Sequence, residues 1–346
     1  MKKLRVAVIG CGVIGPLHLE CFKQLDFVEI AWTCDLIPER AKNAAEKFGA
    51  GKWAVSAEEV FADPTVQAVS ICTDHASHAD LAIAALEAGK DVLCEKALAQ
   101  NRQNLDRMLE AAERHPERVF GGVFQHRFDP INRELRAMLS EGVFGTLLTA
   151  GMQLRCFRSN AYYKADAWRG TWKREGGSVL INQAIHYIDQ LLWLTGGAKS
   201  VIAMIDNFTH RDVIETEDTA AAVLRLSCGA LGTIEATASS HIEWESNLSF
   251  HGDQGAIDIR NDKPFKIDFR DKTIEASVKA RLDEAIAPKP AAVGKAYYGT
   301  GHQAQITDFA ESVRDRRPPF VTVASAADTL STVFDIYDAA RLHKQT

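Results

Sequence analysis

The sequence has no C-x-x-C pair, no run of basic residues and no apolar stretch long enough to span a membrane. Each absence excludes something. The seven cysteines (Cys11, Cys21, Cys34, Cys72, Cys94, Cys156 and Cys228) are odd in number and lack paired spacing. That pattern suits reduced thiols in a cytoplasm, not a disulfide framework. A formal net charge of −6 without a basic patch argues against a nucleic-acid partner. No apolar run approaches the ~20 residues a spanning helix requires, so no membrane partner is expected. Met1-Lys2-Lys3-Leu4 enters the first strand directly, with no separate apolar segment carrying a small-residue cleavage site, so no secretory signal is expected either. There is no internal repeat and no low-complexity tract. What remains is 346 residues, 46% of them hydrophobic, enough for two domains each with its own core.

The stretch that organises the chain is Val6 to Gly15, V-A-V-I-G-C-G-V-I-G. An apolar run ends at Gly10, and Gly12 and Gly15 complete G-x-G-x-x-G before the helix-compatible Pro16–Leu25. The three glycines have separate physical roles. Gly10 allows the tight turn, Gly12 leaves room for a pyrophosphate against the backbone, and Gly15 lets the helix pack close to its strand, its N-terminus attracting the anion. An acidic residue stands at the expected distance, Asp35, closing the second apolar run Val28–Cys34. A carboxylate there accepts from ribose hydroxyls and repels a 2′-phosphate, which favours NAD over NADP. The plainer role for Asp35 is to cap the loop before Pro38. Further strand candidates at Lys52–Val55, Ala68–Cys72, Asp91–Cys94 and Val119–Phe124 alternate with helical stretches. This predicts a doubly wound parallel α/β sheet over residues 1–124.

Two further segments carry chemistry. In I-C-T-D-H-A-S-H-A-D, Ser77 and Asp80 have capping-box spacing, which predicts a helix start near His78. His75 and His78 with Asp74 and Asp80 are weak metal ligands by spacing, and no metal is assigned. The strand Val92–Cys94 ends in Glu95-Lys96, and ligands of open parallel sheets bind beyond such strand ends. From the glycine turn through Thr73-Asp74-His75-Ala76-Ser77-His78 to Glu95-Lys96, the chain resembles the glucose-fructose oxidoreductase / inositol dehydrogenase (Gfo/Idh/MocA) family. Members often read Glu-Lys-Pro where this chain has Glu95-Lys96-Ala97, and often have proline at the position of Asp74. The resemblance implies cofactor contacts from Gly10, Gly12, Val13, Ile14, Gly15 and Asp35 on one side. On the other it implies Thr73, His78, Glu95, Lys96 and Gln125.

The second part, residues 125–346, is predicted as an α+β substrate-binding and oligomerisation domain. Gly121 to Pro130 resembles the family's crossover, with Arg127 either near the cleft or in a structural ion pair. The loop from Arg158 to Glu175 is rich in aromatic and basic side chains, among them Tyr163, Trp168 and Arg169. These suit a sugar or an acidic substrate, and suit an oligomer contact nearly as well. G-G-S-V-L-I-N-Q-A-I-H-Y-I-D-Q-L-L-W-L-T-G-G reads as a helix capped by Ser178 and ended by Gly196-Gly197. Ile181, Ile185, Ile188 and Leu192 form its apolar face. Asn182, His186, Asp189 and Trp193 form another, with Asn182 and His186 four residues apart. The family commonly has Asp-x-x-x-His here, and Asn182 cannot take a proton. From Val201 to Ile259 apolar and polar residues alternate, with a hairpin around Cys228-Gly229. Family likeness implies a large open, mainly antiparallel sheet and a homodimer or homotetramer. His302 opens a later helix, either near substrate or as a helix-start histidine. Pro288–Gly294 is expected to be a mobile loop.

The chemistry expected is NAD(H)-dependent hydride transfer to or from a secondary hydroxyl of a sugar, sugar derivative or cyclitol. A base must take the hydroxyl proton. His186 or Lys96 can serve, the other polarising the oxygen, with His186 favoured as base, and Asn182 can orient a partner or the substrate. Two other classes remain: an NAD-dependent glycoside hydrolase with transient sugar oxidation, and a non-catalytic dinucleotide-sensing protein.

Overall fold

The computed structural model describes residues 3–286 and 301–343. The loop expected at Pro288–Gly294 lies outside the described residues. By its contacts the chain divides into two units, one built from Met1–Phe128 and Ala291–Ala327, the other from Asp129–Pro290 and Asp328–Thr346.

The first unit alternates strand and helix. Its elements are β1 (Leu4–Ile9), α1 (Gly15–Lys23), β2 (Val28–Cys34), α2 (Pro38–Phe48), β3 (Lys52–Ala54), α3 (Ala57–Ala62), β4 (Ala68–Ile71), α4 (His75–Glu87), β5 (Asp91–Cys94), α5 (Arg102–Arg114) and β6 (Phe120–Gly122). The strands run parallel in the order β3-β2-β1-β4-β5-β6, a Rossmann topology. Strands β4 and β5 are buried at every residue, as expected for a parallel sheet covered on both faces. The order reverses between β1 and β4, which is where such sheets open a crevice for ligand.

One boundary differs from the sequence expectation. Helix α4 begins at His75, and its cap is Asp74, whose carboxylate accepts from the Ser77 amide. Ser77 is therefore inside the first turn, its hydroxyl bonded to Thr73 Oγ1 at 2.7 Å. Asp74 offers a stronger acceptor at a position with extended backbone, so it takes the cap.

The second unit contains α6 (Pro130–Ser140), β7 (Leu147–Phe157), α7 (Asn160–Lys164), α8 (Ile185–Thr195), β8 (Ala198–Asp206), β9 (Thr219–Leu226), β10 (Leu231–Thr237), β11 (Ser239–Gly252), β12 (Gly255–Arg260), β13 (Lys263–Phe269) and α9 (Lys272–Ile286). Seven strands form one sheet in the order β13-β12-β11-β7-β10-β9-β8. Only β7 and β10 pair in parallel; the other neighbours are antiparallel. Strands β9 and β10 form the hairpin expected around Cys228-Gly229, with Leu231 opposite Arg225. Between Ala220 and Leu226 and between Leu231 and Ala236 their residues alternate between buried and exposed. One face is covered, with α8 packed on β7 and β11. The other carries exposed Ile202, Met204, Val223 and Leu231.

The division also differs from two consecutive segments. Helix α10 (Gly301–Asp315) belongs to the first unit and packs on α1. Its Ile306, Phe309, Ala310 and Val313 complete the core formed by Leu19, Phe22, Val6 and Val8. Gly301 makes this possible, because a Cβ there would lie 1.8 Å from the Gln125 carbonyl oxygen. The last helix, α11 (Val323–His343), starts in the first unit and continues in the second. No helix among the described residues is long and apolar enough to cross a membrane.

Candidate active site

In the first unit the glycine turn has the geometry its sequence implies. Gly10 adopts φ +93°, and a Cβ on it would sit 2.5 Å from the Cys72 carbonyl oxygen. A Cβ on Gly15 would sit 2.0 Å from the Gly10 oxygen, so α1 rests directly on the turn. Gly12 is different. The nearest atom to its virtual Cβ is the Arg40 guanidinium, 3.9 Å away. The backbone at Gly12 is thus open on the side where a pyrophosphate would approach, with a positive charge alongside. Val13 is exposed and Ile14 half-buried at the start of α1, which has no side-chain cap. A dinucleotide fits this cradle: one glycine turns the chain, one admits the helix, and one leaves space for phosphate.

Asp35 follows β2 half-buried, and its carboxylate accepts from the Cys11 amide at 2.8 Å and the Ile37 amide at 2.9 Å. It therefore ties the second strand to the glycine turn and places a negative charge there. Burial, then the Asp35 charge, pushes both Cys11 and Cys34 up to about 12.

Lys96 follows β5 and is half-buried. Its backbone amide donates to Glu95 Oε2 at 3.0 Å, and the Lys96–Ala97 peptide is cis. Glu95 is buried against His18, whose ring nitrogens contact Glu95 Oε1 at 2.9 Å and Ser70 Oγ at 2.7 Å. Burial alone would raise the Glu95 carboxyl. The His18 hydrogen bond and the charges of His18, His302 and Lys96 outweigh it and hold the group at about 2. Glu95 is thus a buried anion that fixes the start of the Lys96 segment. His302, the second residue of α10, is buried with its ring edge towards His18, centroids 6.3 Å apart.

His78 is fully buried, and its ring nitrogens lie 2.8 Å from the Ala97 carbonyl and 3.2 Å from the Thr73 carbonyl. Burial lowers its pKa, so the neutral ring donates to one of these oxygens. His78 holds the two strand-end loops together. Gln125 and Arg127 are buried in a 3₁₀ turn, Gln125–Phe128. The Arg127 guanidinium donates to the Ser325 hydroxyl and, at 3.0 Å, to its carbonyl, and lies over the Phe124 ring.

In the second unit the segment read as one regular helix is two. Val179–Ala184 forms a π-helical turn that passes into α8 at Ile185. Ser178 does not cap it with its side chain. The Ser178 hydroxyl instead meets the Tyr163 hydroxyl at 3.0 Å. Glu217 does the capping: its carboxylate accepts from the Ser178 amide at 3.1 Å, the Leu180 amide at 3.0 Å and the Tyr337 hydroxyl at 2.8 Å. A distant acid thus satisfies helix-start donors that a local serine was expected to serve.

Between Val179 and Thr195 every residue is buried except Asn182, His186 and Trp193, which are half-buried. Asp189, expected on the same stripe, is fully buried and accepts from Thr329 Oγ1 at 2.7 Å. Asn182 Nδ2 donates to Glu175 Oε1 at 2.5 Å. Glu175 itself is fully buried and also accepts from the Gly170 amide. Burial raises its carboxyl to about 7, with the Glu217 charge adding; the Gly170 and Asn182 hydrogen bonds and Arg169 oppose. Burial likewise raises Glu217.

The aromatic loop is split in role. Tyr163 is buried, with its ring edge on His210. Trp168 and Arg169 are half-buried. Arg169 pairs with Asp166 at 2.8 Å and lies 4.0 Å over the Tyr162 ring. Sequence reasoning passed over Glu175 and a network beside it, in which Arg158 donates to Gln183 Oε1 at 2.6 Å and Gln183 donates to Tyr162 at 2.9 Å. The only signal in the sequence was an acid and an amide flanking the Gly176-Gly177 pair and Asn182.

Residues 4–123 match the model of an oxidoreductase family with an NAD-binding Rossmann fold, and residues 132–258 match the GFO/IDH/MocA C-terminal domain. Among curated relatives, the myo-inositol 2-dehydrogenase of Thermotoga maritima is 29% identical over 262 residues, 73% of this chain and 74% of that one. The levoglucosan dehydrogenase of Pseudarthrobacter phenanthrenivorans is 25% identical over 291 residues, 74% of this chain and 73% of that one. Among solved structures, the WlbA dehydrogenase from Bordetella pertussis, in complex with NADH and UDP-GlcNAcA, superposes with a TM-score of 0.88 at 26% identity, covering 98% of this chain and 96% of that one. With both halves matched and the Rossmann cradle in place, the chain belongs to the GFO/IDH/MocA family of NAD-binding oxidoreductases.

Proposed function

We propose that this oxidoreductase moves hydride between nicotinamide and a secondary hydroxyl of a sugar, sugar derivative or cyclitol, using NAD(H) in preference to NADP(H). The observation that carries the reading is the polar pair Asn182 and His186, half-exposed on a helix otherwise buried apart from Trp193. The relatives named for inositol and levoglucosan, and the neighbour in complex with a UDP-sugar acid, support a polyhydroxylated substrate. Preference for NAD rests on the Asp35 carboxylate beside the glycine turn, where a 2′-phosphate would meet like charge.

When bound, the nicotinamide supplies a hydride acceptor at C4. The protein's part is to bind and orient the hydroxyl and to take its proton as the hydride leaves. His186 is the base in this reading, histidine having an unperturbed pKa of ~6.5. Lys96 donates a hydrogen bond to the same oxygen, its backbone fixed by the Glu95 anion. Asn182 orients the substrate. Glu95 and His78 are positioning residues for the Lys96 segment, and Gly10, Gly12, Gly15 and Asp35 serve the cofactor.

The test is NAD⁺ reduction over a panel of free sugars, cyclitols, glycosides and nucleotide sugars. A polyol should be oxidised with NAD⁺, and Lys96→Met and His186→Ala should each slow it by at least the ~10²-fold that a positioned acid or base contributes. Intact hydride transfer in both variants would end the assignment, and activity confined to NADP⁺ would end the reading of Asp35. Aglycone release without net NADH would identify a hydrolase instead.

A further inference from the structure

We propose that Glu175 is a positioning residue whose protonation state sets the orientation of the Asn182 side-chain amide. The inference deepens the proposed function, since it assigns control over a residue of that site. Glu175 lies in the loop before the π-helical turn, and its carboxylate accepts from Asn182 Nδ2 at 2.5 Å and from the Gly170 amide.

An amide has one donor end and one acceptor end. While Glu175 is ionised it can only accept, so it draws Nδ2 towards itself and turns the Oδ1 acceptor to the opposite side. An acceptor there suits the hydroxyl of a polyol. Once protonated, Glu175 carries an O–H donor, and the amide gains an equally good bond with its oxygen turned towards the acid. A buried, water-poor setting sharpens the choice, because a mismatched donor or acceptor has no solvent to satisfy it. Glu175 is fully buried, so each state is worth a defined partner.

The groups facing Glu175 come from several elements. Glu217, before β9, adds negative charge, and Arg169 in the same loop opposes it. Tyr162 and Tyr163 of α7 and Tyr337 of α11 also feel its charge, and burial raises all three phenols, so they stay neutral near pH 7. Glu217 accepts from the Ser178 and Leu180 amides and the Tyr337 hydroxyl, whereas Glu175 accepts from the Gly170 amide and from a side-chain amide, that of Asn182. Glu175 is thus the acid bonded to a side-chain amide that has both a donor and an acceptor end. Its carboxyl is raised to about 7, inside the working range of an enzyme.

The experiment needs no substrate. Full-length protein labelled with ¹³C at glutamate carboxyls and ¹⁵N at asparagine amides is titrated from pH 5 to 9, alongside Glu175→Gln for assignment. Asn182→Ala identifies the amide pair. One carboxyl should titrate near pH 7 and vanish in Glu175→Gln. The Asn182 amide signals should move with the same midpoint in the wild type and stay constant in the variant. A Glu175 carboxyl titrating near 4.5, or Asn182 signals that ignore it, would overturn the proposal. For whichever polyol the panel identifies, KM should rise below the Glu175 midpoint in the wild type and not in Glu175→Gln, while the fall in kcat that comes from protonating the His186 base remains in both. If no polyol reacts, the proposed function falls while the amide titration still judges Glu175.

Discussion

Replacing Gly12 and Gly15 separately by alanine should split stability from cofactor binding. The two glycines lie three residues apart in one turn, yet their surroundings differ. At Gly12 a Cβ meets nothing nearer than the Arg40 guanidinium at 3.9 Å. Gly12→Ala should therefore leave the cofactor-free protein as stable as before, or more stable by about 0.4–1 kcal/mol through a less free unfolded chain. The same methyl occupies the space a pyrophosphate needs. Crowding a close-packed contact by one carbon costs about 1–3 kcal/mol, which weakens NADH binding roughly 5- to 150-fold. At Gly15 the Cβ would lie 2.0 Å from the Gly10 carbonyl oxygen, a contact only a backbone shift can relieve. Gly15→Ala should lose about 1–3 kcal/mol of stability before any ligand is added. Denaturant melts of the cofactor-free protein and NADH fluorescence titrations measure the two quantities independently. Unchanged NADH affinity in Gly12→Ala would refute the placement of the pyrophosphate, and an unchanged melt in Gly15→Ala would refute the packing of α1 on the turn.

Glu95 gives a pH test of stability. Its carboxyl is held at about 2 when folded against an ordinary value of 4.5, so it favours the folded state by on the order of 3 kcal/mol. That contribution is complete above pH 4.5 and fades as pH falls towards 2. Urea midpoints of wild type and Glu95→Gln should therefore converge as pH drops below 4.5, and a gap that stays constant would contradict the buried-anion reading. The open sheet offers a test of assembly. Ile202 and Met204 are 64% and 73% exposed on β8, and Ile202 faces Val223 across the register. If copies associate through this face, Ile202→Lys with Met204→Glu should convert a homodimer or homotetramer to monomers in sedimentation velocity, and a wild-type monomer would dismiss the idea.

Local signals carried much of the first unit. The three glycines and the apolar run before them obey short-range rules, and the geometry of the turn follows them. The second unit's site was less legible because its determinants are remote in sequence. Ser178 looked like a cap, but Glu217, 39 residues later, satisfies the helix start. Arg127 was poised between a cleft role and an ion pair, and one group that holds it is Ser325, 198 residues on. Asp189 read as part of a polar stripe until Thr329 accounted for it. Glu175 gave no more than its place beside Gly176-Gly177, since burial and not sequence makes a glutamate unusual. The reassignment of α10 has the same origin: Gly301 reads as a helix start, and only the closeness of the Gln125 carbonyl explains its need for glycine.

The return of residues 301–327 to the first unit has a consequence for biosynthesis. The ribosome delivers β1 to β6 early, but Ile306, Phe309, Ala310 and Val313 arrive about 180 residues after β6 is finished. At ~5–20 residues per second, the nascent Rossmann sheet waits on the order of 10–40 s with the flank of α1 bare. The intervening segment has its own seven-stranded sheet to assemble in that interval. The emerging chain is therefore an unfinished vessel sealed last, and a holdase that shields the apolar side of α1 would find its client in this window.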